Sequence, residues 1–441
     1  MKKIIFCCCF LLLFYGCSSS KKIISNESFI KVEGIHFIKD GKPYYYLGTN
    51  FWYGCYLGAS DSTGNRKRLI LELDKLKSLH IDNLRILGGS LLSDYEHALN
   101  PAILIAPGKY NESLLDGLDY LLYEMGKRNM HAVIFLNDFW EWEGGMTQYN
   151  LWTDKGKGVD RTEFKKNRKL FYNYSASFYR NEEANKYYRE LIKTIITRKN
   201  KYDGLYYYED PTIMSWELAN EPEPGKGEEA LKYIDSFYKW IDETASFIHS
   251  IDHNHLVTTG SEGIRGSLGS KKIYVRANKT PYIDYLTFHL WVKNWGWFDP
   301  MNPQETYMHS EKLAVDYINE HIQIAKELNK PIVLEEFGIT RDNQNYLRGT
   351  PTTIRDKYFS KIYDIIYDNI KMHSPLAGSN FWAWGGSAVK KHEDAVWRKG
   401  DPFMGDPPHE PQGLYSIFDT DYNTMKIIRE HGEKIISPMS K

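Results

Sequence analysis

Eight short apolar runs recur along the chain, and this recurrence limits the fold more than any other feature. They read PYYYLGTN, IDNLRIL, HAVIFLND, PTIMSWELA, HLVTTG, IDYLTFH, PIVLEEFG and GSNFWAWG. Between most of them lie stretches with helical spacing. Leu69, Leu73 and Leu76 predict a helix from about Arg66 to Leu79, and further helices are expected near Glu112 to Arg128 and Glu182 to Thr197. Strands that alternate with helices imply a parallel sheet, and eight such units imply an α/β fold closed into a (β/α)8 barrel. No glycine-rich dinucleotide fingerprint or phosphate loop follows any run, which argues against an open doubly wound sheet.

The N-terminus reads differently. Lys2 and Lys3 precede an apolar run from Ile4 to Tyr15, too short to span a bilayer comfortably but fitting the h-region of an export signal. The following Gly16-Cys17-Ser18 resembles a bacterial lipoprotein signal. Residues 1–16 are therefore expected to be removed, Cys17 to carry lipid, and 17–27 to form a Ser/Lys tether. The protein would be exported and anchored to a membrane on its periplasmic or cell-surface face. No second linker appears downstream, so 28–441 is expected to form one catalytic domain with elaborated loops. Cys7, Cys8 and Cys9 would leave with the signal, and Cys55, alone in the domain, reads as a packing residue. A formal net charge of −1 with mixed signs gives no field for nucleic acid. Aromatic residues make up 15% of the chain, more than a core needs, and exposed rings are one way to hold flat ligands.

In a barrel the chemistry sits at the C-terminal ends of the strands. The polar residues at those ends are Arg85, Asn137, Asn220 with Glu221, His289 and Glu336, joined there by Trp382. Glu221 and Glu336 fall on the fourth and seventh runs and would face each other across the mouth. Strict alternation sets their neighbours Glu217 and Glu335 aside, although a bulge in SWELANEP would weaken that argument. Glycoside hydrolysis needs such a pair: one carboxyl protonated to assist the leaving oxygen, the other ionised to attack or to activate water. No His or Cys pattern has metal-ligand spacing, so neither metal nor cofactor is expected. Asp401, Asp406, Asp419 and Asp421 lack the order of a calcium loop and read as turn formers.

The set formed by Arg85, Asn220-Glu221-Pro222, His289, Glu336-Phe337-Gly338 and Trp382 resembles glycoside hydrolase family 5. GTNFWYGCYLG, NDFWEWEGGMTQY, DPTIMSWELANEP, TFHLW and GDPPHEPQGLYSIFDTD are similar to its endo-β-1,4-mannanase branch. The resemblance implies that Glu221 is the acid/base, Glu336 the nucleophile, and Asn220 the partner of the sugar 2-hydroxyl. It implies that Arg85 keeps Glu336 ionised, that His289 borders the same subsite, and that Trp382 floors it. Trp52, Trp140 and Trp291 become candidate sugar platforms. Many members carry Tyr two residues after the strand-six His, whereas here Trp291 stands in that place, and its indole N–H could donate instead. The expected activity is retaining endo-cleavage of mannan, glucomannan or galactomannan. The alternatives are another β-1,4-glycanase or an exo-acting β-mannosidase of the family, which a blocked end of the cleft would indicate, or a non-catalytic glycan-binding lipoprotein, against which the glutamate pair argues.

Overall fold

The eight runs form eight parallel strands: β1 (Tyr46–Asn50), β2 (Ile81–Leu87), β3 (His131–Phe135), β4 (Ile213–Glu217), β5 (Leu256–Thr258), β6 (Leu286–Leu290), β7 (Ile332–Phe337) and β8 (Leu376–Phe381). The structure, a computed structural model, describes residues 29–154 and 166–436. The expected signal segment, Cys17 and the tether lie outside the described residues. A helix follows each strand: α1 (Arg66–Ser78), α2 (Glu112–Gly126), α3 (Glu182–Ile196), α4 (Ile234–Ile251), α5 (Lys271–Asn278), α6 (Pro303–Leu328), α7 (Thr353–Lys371) and α8 (Tyr422–Ile436). Three of the first helices begin with the same device. The side chains of Asn65, Asn111 and Asn181 accept from backbone N–H groups of the first turns of α1, α2 and α3, satisfying donors that a helix start leaves open.

The ladder runs β5-β4-β3-β2-β1-β8-β7-β6, so the barrel is nearly closed, with its seam between β5 and β6. Local bonds bridge that seam. The Asp284 N–H donates to the Val257 carbonyl at 2.8 Å, the Thr258 hydroxyl to the Tyr285 carbonyl at 3.0 Å, and the Thr287 hydroxyl to the Ser261 carbonyl at 3.1 Å. Strands covered on both faces are mostly apolar, and every residue of β1, β3, β4 and β6 is buried. The described residues contain no helix long and apolar enough to cross a membrane.

Two features lay outside the sequence reading. Residues Lys31–Pro43 form a small antiparallel meander before β1, with Phe37 buried edge-on against Tyr285 at 5.2 Å. Among the described residues, the β3 to α3 connection carries the α-helices Gly145–Thr153 and Arg168–Ala176. Cys55 is buried and free, as its packing role requires.

Candidate active site

Arg85 is the centre of the mouth. It sits on β2, fully buried, and its five N–H donors all find oxygen. Nε and Nη2 grip the Glu217 carboxylate at 2.9 and 2.6 Å, Nη1 donates to Glu336 Oε1 at 2.5 Å and to Asn50 Oδ1 at 3.0 Å, and Nη2 also reaches Asn220 Oδ1 at 2.7 Å. Burial alone would weaken its hold on the proton, but Glu217, Glu335 and Glu336 outweigh that and raise it further.

The two glutamates expected at the mouth are brought together. One carboxylate oxygen each of Glu221 and Glu336, with a ring nitrogen of His289, all lie within 4.8 Å of one another. His289 Nδ1 stands between them, 2.6 Å from Glu221 Oε1 and 3.3 Å from Glu336 Oε2. The Trp140 indole N–H donates to Glu221 Oε2 at 2.6 Å, and the Trp291 indole N–H donates to Glu336 Oε2 at 3.2 Å. Trp291 thus supplies the N–H that its sequence position allowed. Trp382, 5% exposed, lines the same cleft with its ring edge-on to Trp291 at 6.1 Å. Gly338 permits this approach, since a Cβ there would lie 2.7 Å from the Trp382 carbonyl oxygen.

Backbone irregularity aims the pair. Between Leu334 and Phe337, β7 advances three residues while its partner β8 advances two, from Ser379 to Phe381, and the ladder to β6 shifts at the same place. This is a β-bulge, which re-aims side chains. It turns both Glu335 and Glu336 inward. Beyond β4 the chain bonds on to its neighbours, Asn220 N–H to the Asn137 carbonyl and Glu221 N–H to the Gly260 carbonyl, each at 2.9 Å. Glu221 then adopts the left-handed conformation with φ 49°, uncommon for a residue with a side chain.

The alternation argument is corrected at this point. Glu217 and Glu335 also point inside, fully buried, with Glu335 Oε2 3.8 Å from both Arg85 Nε and His289 Nε2. Period two fails because neither Glu221 nor Glu336 continues a regular strand. Trp52 is the second correction. It is fully buried, edge-on to Tyr53, Trp142 and Phe403, and its indole N–H donates to the Gly405 carbonyl at 2.8 Å. A strand-end position exposed it only until the segment after β8 folded over it, so it anchors a loop and does not line the cleft.

The charges are uneven. Burial raises Glu336 to about 7 against the pull of His289 and Arg85. Burial would also raise Glu221, but donation from His289 and Trp140 outweighs it and holds Glu221 below the usual carboxylate range. Burial opposes a charge on His289, yet Glu336, Glu221 and Glu335 push it up to about 10. At neutral pH, therefore, the proton of the Glu221–His289 pair rests on the ring, one short hydrogen bond away from the carboxylate. Glu221, His289 and Glu336 are also the described residues closest to a cation-binding set. The Arg85 guanidinium touching Glu336 would repel an ion there.

The cleft has a volume of about 980 Å³ and two unlike sides. Toward β4 to β6 it is lined by Glu223, Lys226, Glu262, Arg265, Tyr172 and Trp295. Lys226 Nζ pairs with Glu223 at 2.9 Å and lies 4.2 Å over the Tyr172 ring, and the Trp295 indole N–H donates to Glu262 at 3.0 Å. On the opposite side, Trp142, His409 and Glu410 line it. There the segment after β8 crosses above β1 and β2. His409 stacks on Trp142 at 5.7 Å, and Phe403 packs on Trp52, Tyr56 and Trp397. Asp406 holds this segment by accepting from the Gly413 and Tyr415 N–H groups at 2.7 and 2.6 Å, and Asp421 pairs with Arg341 at 2.5 Å, so these aspartates serve the loop. Sequence reasoning named none of these lining residues; Glu223, two places after Glu221 in NEPEP, and Glu410 in PPHEP carried the visible signals.

A family model described as GH family 5 beta-mannosidase-like matches residues 27–440. A glycoside hydrolase family 5 mannosidase from Rhizomucor miehei superposes with a TM-score of 0.86 at 35% identity, covering 94% of this chain and 99% of that one. Mannan endo-1,4-beta-mannosidase 4 of Solanum lycopersicum is 28% identical over 390 residues, 85% of this chain and 87% of the relative. Mannan endo-1,4-beta-mannosidase 7 of Arabidopsis thaliana is 30% identical over 371 residues, 80% of this chain and 77% of the relative.

Proposed function

The chain belongs to glycoside hydrolase family 5 and is a hydrolase, and from that premise we propose that it cleaves β-1,4-mannosidic bonds with retention of configuration. The observation that carries this reading is the approach of Glu221 and Glu336 within 4.8 Å. Retaining pairs stand about 5–5.5 Å apart, whereas inverting pairs need about 6.5–9.5 Å to admit a water. Glu336, held by Arg85 and Trp291, attacks the anomeric carbon. Glu221 draws its proton across from His289, gives it to the leaving oxygen, and then takes one from the water that releases the glycosyl-enzyme. Asn220 meets the 2-hydroxyl, and Trp382 lies under the ring.

The aglycone departs on the side of Glu221, toward the charged residues of β4 to β6. The opposite, glycone side is lined by the Trp142–His409 stack and Glu410, bulky groups that we read as a wall admitting only a short non-reducing end. This favours the exo alternative, release of single mannosyl units. Endo cleavage, the activity expected from the sequence strings and the one that the names of the mannan-cleaving relatives support, becomes the second reading. Product analysis during early turnover of mannohexaose separates them. Mannose as the first product supports exo action, and internal oligosaccharides supplant it with endo action. Greater activity on cellulose or xylan than on β-mannosides would remove both.

The location proposed from Lys2-Lys3, the apolar run and Gly16-Cys17 is a lipid-anchored, exported protein. Replacing Cys17 with Ala should free it from the membrane fraction, and unchanged membrane association would count against the anchor.

A further inference from the structure

Behind Asn220 and Glu221 lies a buried carboxylate that the chemistry above does not use. Asp138 stands three residues beyond the end of β3, with its backbone bridged to Asn220. Its Oδ1 accepts two hydrogen bonds, from the Trp140 backbone N–H at 2.8 Å and from Asn220 Nδ2 at 3.3 Å. Those two partners reach the reacting groups directly. The Trp140 indole N–H donates to Glu221 Oε2, and Asn220 Oδ1 accepts from Arg85. The remaining oxygen, Asp138 Oδ2, and both carboxylate oxygens of the nearby buried Glu143 meet no donor from the described protein. An ionised carboxylate is costly in such a place. Burial accordingly pushes both acids well above their ordinary range, Glu143 with the further help of Asp138.

We propose that Asp138 is a positioning residue for the glycosidase reaction, in which one acceptor oxygen fixes both the Trp140 indole over Glu221 and the amide of Asn220. Two physical requirements support it. Acceptance from the N–H two residues on is an Asx turn, which sets the chain direction at Trp140. The Asn220 amide lies between Arg85, which offers only donors, and Asp138, which offers an acceptor, so its oxygen must face Arg85 and its second N–H is left for the cleft. Because the task is acceptance and not charge, a neutral amide at position 138 should perform it.

The proposal rests on the role given to Glu221, and the test separates the two. Asp138→Asn, Asp138→Ala and Trp140→Phe are assayed on β-1,4-mannobiose and on an aryl β-mannoside with a good leaving group. Losing alignment of the acid should cost Asp138→Ala at least about 30-fold in kcat/KM on mannobiose, within the range of acid–base catalysis, and markedly less on the aryl substrate. Asp138→Asn should recover most of that loss, and Trp140→Phe should show the same dependence on leaving group. An Asn variant as impaired as the Ala variant, or equal losses on both substrates, overturns the positioning role. Should Asp138→Ala fail to fold, the other two variants still decide by these criteria. Wild-type protein inactive on both β-mannosides, and on mannohexaose, would instead overturn the proposed function.

Discussion

Two pairs of glutamates surround Arg85, one above the other, and they differ in access and in partners. The lower pair, Glu217 and Glu335, is sealed inside the barrel, while the upper pair, Glu221 and Glu336, borders the cleft. Both pairs are buried, and burial raises Glu217 to about 8 much as it raises Glu336 to about 7. A perturbed carboxyl is therefore no guide to which pair reacts. What separates them is access to a substrate, together with the partners gathered by the upper pair: His289 between its members and an indole N–H on each. The lower pair lacks these donors: Glu217 takes two bonds from the guanidinium, which also binds Glu336, and Glu335 lies 3.8 Å from it.

The sharpest test removes the upper pair. Glu336→Ala should lose about 10⁴-fold or more in kcat on every substrate, as expected for a lost nucleophile. Glu221→Ala should lose about 10²–10⁴-fold on unactivated substrates, yet azide should restore turnover of an aryl mannoside and give a glycosyl azide of retained configuration. Azide rescue of the Glu336 variant in that form would exchange the two roles. For the lower pair, Glu217→Ala leaves Arg85 Nε and Nη2 without the two oxygens they grip and should cost stability of about 3 kcal/mol, as removing one partner of a buried pair does, read as a lowered Tm. An unchanged Tm with collapsed activity would move Glu217 into the reacting group.

The pH profile sharpens the contrast further. Glu336 must be ionised to attack, so kcat/KM should fall as the pH drops through about 7. The proton that Glu221 donates is shared with His289, whose value of about 10 should hold the alkaline limb well above neutrality. Replacing the imidazole in His289→Asn removes that store, and the alkaline limb should move down by more than about one unit, a difference of about 1.4 kcal/mol in proton affinity. An unmoved limb would detach His289 from the acid. The smallest effects belong to the indoles. Trp291→Phe removes one N–H from Glu336 and should reduce kcat about tenfold, from a hydrogen bond to a charged group worth about 1.5 kcal/mol or more. Trp52→Phe should leave kcat within about twofold and lower stability by about 1 kcal/mol through its lost bond to Gly405.

Much of this arrangement was legible in the sequence because it depends on local pattern. Strand ends announce themselves where an apolar run meets Arg85, His289 or Glu336, and α1 follows from the spacing of Leu69, Leu73 and Leu76. The inward turn of Glu217 and Glu335 was not legible, since it depends on a bulge in β7 and a left-handed residue at 221, each an exception to period two. Trp52 misled for another reason. Its cover comes from residues near Phe403 and Gly405, more than three hundred positions away in sequence, and no local pattern records such a contact. The residues lining the aglycone side were hidden likewise, being spread over loops after four different strands.

If Trp142, His409 and Glu410, which line the glycone side, close it as the exo proposal requires, they also set the order in which products leave. A sugar on Trp382 would then have one way out, along the path by which the chain entered. The shortened chain must go first to admit water, and the monosaccharide departs last. Mannose should consequently compete with fresh substrate for the free enzyme. The rate per mass of polymer should then follow the number of chain termini and rise when an internally cutting enzyme has supplied them.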